Sequence, residues 1–337
     1  MTDASPARWP HGLTSFEQRF GNATTRVVVG AIAIPIIFGA VWLGGWAFFI
    51  FVAAITVGAL LEFYWLLEKK GARPNKGLGI AASLLMSLAF MHGVTDSFVS
   101  LTHMIDKPPT EAFLLGRFAM VAGIMILFGI AVMIVEMFKG EGSPLLNNIA
   151  SFAGISYVAL FLSTLIGIRQ LFTRVGFGFM GGTRLDYTAS YPDIAAEINR
   201  NGFYTVMAVL VSIWVCDSAA YYAGRAFGKH KLFERVSPKK TWEGAIAGAI
   251  AAIATMIIVQ KSLLPFFTVG DAIVLGIIAG VFGQLGDLAE SHLKRDAGVK
   301  DSSALIPGHG GLFDRFDSLL FVAPLVYVYL NFVMLTR

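Results

Sequence analysis

The chain has 337 residues, 56% hydrophobic and 14% charged, with a formal net charge of +4 and a mean hydropathy of +0.69. Soluble domains carry about 25% charged residues, so a water-soluble globule is excluded and the apolar residues must meet lipid. The single cysteine, Cys216, excludes an intrachain disulfide and falls inside an apolar run, where packing is its expected role.

In chain order, residues 1–26 are polar and lack the short apolar stretch and small-residue cleavage site of a secretory signal. Apolar runs follow at 27–43, 47–67, 78–91, 118–137, 149–168, 203–222, 244–259, 271–288 and 319–335. A bilayer-crossing helix needs about 20 residues, so the pattern predicts an all-α, polytopic membrane bundle of about nine helices, the third being the shortest. Most of the 26 basic residues fall on the amino-terminal side of that arrangement. They cluster as Lys69, Lys70, Arg73 and Lys76, then between Arg225 and Lys240, then as Lys294, Arg295, Lys300 and Arg315. Positive charge marks the cytoplasmic loops. The expected orientation is therefore a cytoplasmic amino terminus in an inner, cytoplasmic membrane.

The two halves differ in character. Helices one to five, with a far-side segment at 169–202, make up 27–202 and are nearly featureless. Glu62 is their one obvious intramembrane acid, and it is expected to lie away from the motifs and to tolerate change to Gln. Helices six to nine, 203–337, carry polar loops at 225–243 and 289–318 and form the expected catalytic half. A transporter would need a polar path reaching both surfaces, whereas these motifs gather at one.

The first loop, CDSAAYYAGRAFGKHKLFERVSPKKTWEG, places Asp217 inside helix six, with Tyr221, Gly224 and Arg225 following at helical spacing. An ionisable residue within a span usually faces a polar cavity. Gly224 and Gly228 permit close approach of a backbone or a ligand. Lys239 and Lys240 precede Thr241 and a helix start, whose N–H groups attract anions. A positive-inside loop would also explain Lys229, Lys231 and Arg235.

In the second loop, Asp287, Ser291, Lys294 and Arg295 form one stripe if helix eight continues past the membrane, with Glu290 beside it. Salt bridges on a solvated helix end are the plain alternative. Then ALIPGHGGLFDRFDS interrupts helix with Pro307, Gly308, Gly310 and Gly311. Asp314 and Asp317 follow as helix nine begins. Carboxylate oxygens suit a hard divalent ion, and interleaved bases suit phosphates.

The stretch from Ser291 to Asp317 resembles the signature of the phosphatidate cytidylyltransferases, or CDP-diacylglycerol synthases. The match is carried by Ser291, Lys294, Arg295, Lys300, Asp301, Pro307, His309, Gly310, Gly311, Asp314, Arg315 and Asp317. DSAAYYAGRAFGKHKL and SPKKTWEG are similar to other stretches of that family.

The resemblance implies transfer of CMP from CTP to phosphatidic acid, with pyrophosphate released. It implies a bilayer-embedded enzyme with its site facing the cytoplasm and no nucleic-acid partner, and leaves room for a homodimer. Mg²⁺ or another divalent cation is the expected cofactor, with room for a second, monovalent one. Asp287 and Asp314 are the leading metal ligands, and Asp317, Asp217 and Asp301 are further candidates. Lys294, Arg295, Lys300 and Arg315 would hold phosphates, with Ser291 in the same stripe. His309 would bond a phosphate or serve the loop. Lys239 and Lys240 would reach the triphosphate, and Tyr221 or Trp242 would pack on substrate. A CTP-using lipid-alcohol kinase is the nearest alternative.

Overall fold

A computed structural model describes residues 14–101, 109–140, 142–172 and 192–334. Lys107, Arg184 and most of segment 169–202 lie outside them. The helices are α1 (Thr14–Leu43), α2 (Gly45–Lys69), α3 (Lys76–Ala89), α4 (His92–Leu101), α5 (Pro109–Lys139) and α6 (Pro144–Arg169). They continue with α7 (Pro192–Phe227), α8 (Trp242–Leu263), α9 (Val269–Asp296) and α10 (Asp317–Met334).

Eight of these are long and apolar enough to cross a membrane, and α3 with α4 forms a further pair bent by 81°. The contacts at the ends of that pair show which way it runs. Lys139 Nζ, at the end of α5, donates to Arg73 O beside the end of α2 at 3.0 Å. At the opposite end, His92 N donates to Gln170 Oε1, and Arg117 near the start of α5 reaches Phe90 O. The chain therefore traverses the bundle between Lys76 and Phe90, and the short third span is a true crossing that turns sharply at the far surface.

Local chemistry sets the helix starts. Asn75 accepts from Leu78 N, Ser143 precedes Pro144 and accepts from Leu146 N, and Thr268 and Asp271 form a reciprocal capping box. Thr241 caps α8 by accepting from Gly244 N. The helices run past the apolar windows because their polar ends stay hydrogen-bonded beyond the lipid; α9, for example, continues to Asp296.

α7 and α8 pack almost backbone to backbone. Side chains added at Gly244 and Gly248 would collide with Ala220 O and Cys216 O, at 2.6 and 2.9 Å. This is the small-residue contact by which helices associate in lipid, where no hydrophobic drive separates protein from solvent. Cys216 is a buried member of that seam, as expected from its place in a span.

The all-α bundle carries one small departure. Lys231–Phe233 (β1) and Ser237–Thr241 (β2) form an antiparallel hairpin, with Lys231 opposite Thr241 and Phe233 opposite Ser237. It replaces a plain loop and feeds straight into α8, fixing where Lys239 and Lys240 stand.

Candidate active site

The polar ends converge at one end of the bundle. Lys70, closing α2, pairs with Asp296 at the end of α9 at 3.1 Å, and Arg26 of α1 donates to Gly308 O at 3.0 Å. The hairpin joins the same surface through Lys240, whose Nζ lies 2.7 Å from Asp287 Oδ2.

Two cavities meet there. One, of about 430 Å³, is lined by Arg225, Lys239, Lys240, Tyr221, Gln284 and the cap of α8. The other, of about 680 Å³, runs along Ile34, Ile37 and Val41 of α1, Phe51 and Ile55 of α2, and Leu210 and Trp214 of α7. Its polar end holds Lys294, Asp314, Arg315 and Asp317. Asp217 and Asp287 line both. A basic chamber and a greasy one thus share a carboxylate wall.

The acids divide by environment. Asp217 is exposed to the cavities and Asp287 is about one-third exposed. Asp317, where α10 begins, accepts from Ser318 N at 2.6 Å and is half-buried. The charges of Asp217, Asp287 and Asp317 act on one another, with Lys240 and Arg315 as counter-charges. Among the described residues no three such side chains form a ready-made ion cage. The donor set nonetheless fits a hard cation, because carboxylates open to a phosphate-sized cavity let ligand oxygens complete the shell.

Asp314 is engaged differently. It is 6% exposed, and its Oδ1 accepts from Lys294 Nζ at 2.7 Å. Its Oδ2 accepts from Gly311 N at 2.7 Å and Ser302 N at 3.0 Å. Burial pushes this carboxyl upward. The Lys294 ammonium 2.7 Å away and the hydrogen bond from Gly311 N–H outweigh that and hold it below the usual carboxylate range. Lys294 is itself buried, 2.7 Å from both Glu290 Oε2 and Asp314 Oδ1.

The chain belongs to the cytidylyltransferase family. The family's model matches residues 24–333, almost the whole membrane bundle. A phosphatidate cytidylyltransferase of Synechocystis is 30% identical over 313 residues, covering 91% of this chain and 96% of its own length. Those of Staphylococcus saprophyticus and Staphylococcus aureus are 33% and 34% identical, each over 64% of this chain and 81% of theirs. Membership makes the protein a nucleotidyltransferase, acting on a nucleotide and a lipid within a multi-pass membrane protein.

With the family in place, the expected site residues sort by position. Asp287, Ser291 and Lys294 do share a face of α9, and Ser291 Oγ lies 3.4 Å from Asp287 Oδ1. Arg295 is exposed, and its guanidinium folds onto Val299 O at 2.9 Å. Lys300 and Asp301 are exposed on the loop that follows. His309 sits in a tight turn closed by the Ile306–Gly310 bridge, its Nδ1 3.4 Å from Pro307 O. Gly308 and Gly310 take φ of 72° and 81°, which a side chain would strain. Tyr221 lines the basic cavity beside Arg225. Trp242 is 54% exposed where α8 begins.

One expectation is overturned. Glu62 is not remote from the motifs: it is 1% exposed and accepts hydrogen bonds from Ser302, Ser303, Leu312 and Phe313. The signal was present. An acid seven residues before Lys69 in a straight helix lies about 10 Å inside, where an unpartnered carboxylate would be costly. Gln284, another cavity residue sequence reasoning passed over, carried no such mark.

Proposed function

We propose that this protein transfers the cytidylyl group of CTP to phosphatidic acid, giving CDP-diacylglycerol and pyrophosphate, at the cytoplasmic face of an inner membrane. The observation that carries the reading is the meeting of a basic and an apolar cavity at Asp217 and Asp287. A water-soluble polyanion suits the first and acyl chains suit the second. Reaction between them belongs where the two share a wall.

A phosphate monoester is already ionised at neutral pH, so its oxygen can attack the α-phosphorus of CTP without a strong base. The new P–O bond forms as the bond from the α-phosphorus to the bridging oxygen breaks, and pyrophosphate leaves with that electron pair. The difficulty is bringing two polyanions together, and the protein's task is positioning and charge neutralisation. Lys239, Lys240 and Arg225 hold the triphosphate in the basic cavity. Arg315, at the mouth of the apolar one, faces the lipid phosphate. A bound divalent cation, Mg²⁺ in this reading, would be held by Asp287, Asp217 and Asp317 and would offset charge on the reacting phosphates. The phosphatidate cytidylyltransferase names of the relatives support the same choice of substrates.

The test is product identity. Purified protein given phosphatidic acid and CTP labelled at the α-phosphate should place label in a lipid that comigrates with CDP-diacylglycerol, and release unlabelled pyrophosphate. Label recovered only as CDP would instead indicate a CTP-dependent lipid kinase. A reporter inserted at 228–238 should be accessible from the cytoplasm and one at 264–267 from the other side.

A further inference from the structure

Besides the Arg26–Gly308 and Lys70–Asp296 contacts, one side chain of the amino-terminal half makes four hydrogen bonds to the loop that carries the signature. Glu62 Oε1 accepts from Ser303 Oγ at 2.6 Å and Leu312 N at 3.0 Å. Its Oε2 accepts from Ser302 Oγ at 2.7 Å and Phe313 N at 2.8 Å. Each oxygen therefore receives one hydroxyl and one backbone N–H from a loop some 240 residues away in sequence. The surrounding surface is cut to fit. A side chain at Gly58 would strike Leu312, and one at Gly311 would strike both Ser302 and Glu62. The rings of Phe63 and Phe313 lie 5.6 Å apart. Ser302 joins the two ends of the device, since its N–H donates to Asp314 while its hydroxyl donates to Glu62.

We propose that Glu62 is a positioning residue for the transfer reaction, holding the 302–313 loop so that Arg315 and Asp317 stand at the cavity mouth. The proposal rests on the reading that this mouth is the reaction centre. Glu62 touches no reacting atom; it acts through the loop. Its chemistry is that of an acceptor only. A glutamine keeps the shape, but one of its two oxygens becomes an NH₂ group. Whichever oxygen is replaced, a backbone N–H that cannot be reversed then faces a donor. Buried donors left so cannot be ignored by the fold, and the loop must shift to relieve them.

The experiment compares Glu62→Gln and Ser303→Ala with the wild type in detergent, reading amide hydrogen exchange and steady-state kinetics together. Glu136→Gln serves as control: it is another buried carboxylate at the same end, held by Asn147 and Lys139 instead of the loop. Exchange over 302–313 should quicken at least tenfold in Glu62→Gln, with α7 and α8 unchanged. The kcat should fall about 30-fold while the KM for CTP stays within about twofold, because Lys239 and Lys240 stand on the hairpin and not on this loop. Ser303→Ala, with one donor lost, should give the same local pattern at a few-fold smaller size, and it decides the matter if Glu62→Gln does not fold. Exchange and kcat unchanged in the variant that folds, or exchange raised evenly along all helices, would overturn the proposal. Absence of CDP-diacylglycerol from the wild type would sink the functional reading, while the exchange data would still judge the clamp.

Discussion

Two sets of acids stand at the same membrane boundary and do opposite things. Glu62 and Asp314 are almost fully buried, and both oxygens of each are filled by hydroxyl, ammonium or backbone donors. Asp217, Asp287 and Asp317 open to cavities, and Lys240 and Arg315 answer their charge. The comparison teaches that a carboxylate's job follows from its free valence. A filled carboxylate shapes backbone; an open one can take a cation or a phosphate's counter-ion. Burial with satisfied hydrogen bonds and burial beside a cavity are different states of the same side chain.

The largest expected effect breaks the open set. Asp287→Asn should lose 100-fold or more in kcat/KM, about 2.7 kcal/mol of transition-state stabilisation, with its detergent melting temperature unchanged. Removing divalent cations with a chelator should have a similar effect on turnover in the wild type. Retained turnover in excess chelator would remove the cation from the account. Next in size are the cations facing the cavities. Lys240→Ala and Arg315→Ala should each cost about 30-fold in kcat/KM, near 2 kcal/mol. The two should differ in kind, Lys240 raising the KM for CTP and Arg315 that for phosphatidic acid. An identical pattern for both would mean that the cavities do not divide the substrates.

Asp314→Asn probes the filled set and should be read first in stability. It leaves Lys294 buried with one acidic partner fewer, so the melting temperature should drop by several degrees where Asp287→Asn leaves it alone. The pH dependence has a definite sign. The folded-state pKa of Asp314 lies below its ordinary value. Its stabilising contribution is therefore complete above the ordinary carboxylate range, about 4, and is lost as pH falls through the lowered value. The variant should lack that acid-side loss. The smallest effect sharpens the contrast: Lys76→Ala breaks an exposed pair with Glu68 at the same surface, and both turnover and melting temperature should stay near wild type.

Much of this was legible in the sequence, for identifiable reasons. Apolar run length gives the crossings, and lysine and arginine placement groups the loops, because lipid tolerates neither free backbone nor free charge. The i, i+4 stripe from Asp287 to Ser291 is fixed by helix geometry alone. What stayed hidden was long-range. Nothing local marks Lys294 as buried between two acids, since the same spacing serves a solvated cation. Asp314 and Asp317, three residues apart, would share a helix face; with a 3₁₀ turn at Phe313–Arg315 both line the apolar cavity, but only Asp314 also accepts from the loop's Ser302 and Gly311 N–H groups. Glu62 could be flagged as costly where it stands, but its four partners lie in a segment that sequence distance makes invisible. The β1–β2 hairpin escaped because its strands are only three and five residues long.

The most direct measurement pairs turnover with stability in one preparation of Asp287→Asn, using α-phosphate-labelled CTP and phosphatidic acid. The account predicts a melting temperature equal to wild type and label transfer into lipid reduced at least 100-fold. Wild-type transfer by a folded Asp287→Asn protein would contradict it, because the acid on the wall shared by the two cavities would then have no part in the chemistry.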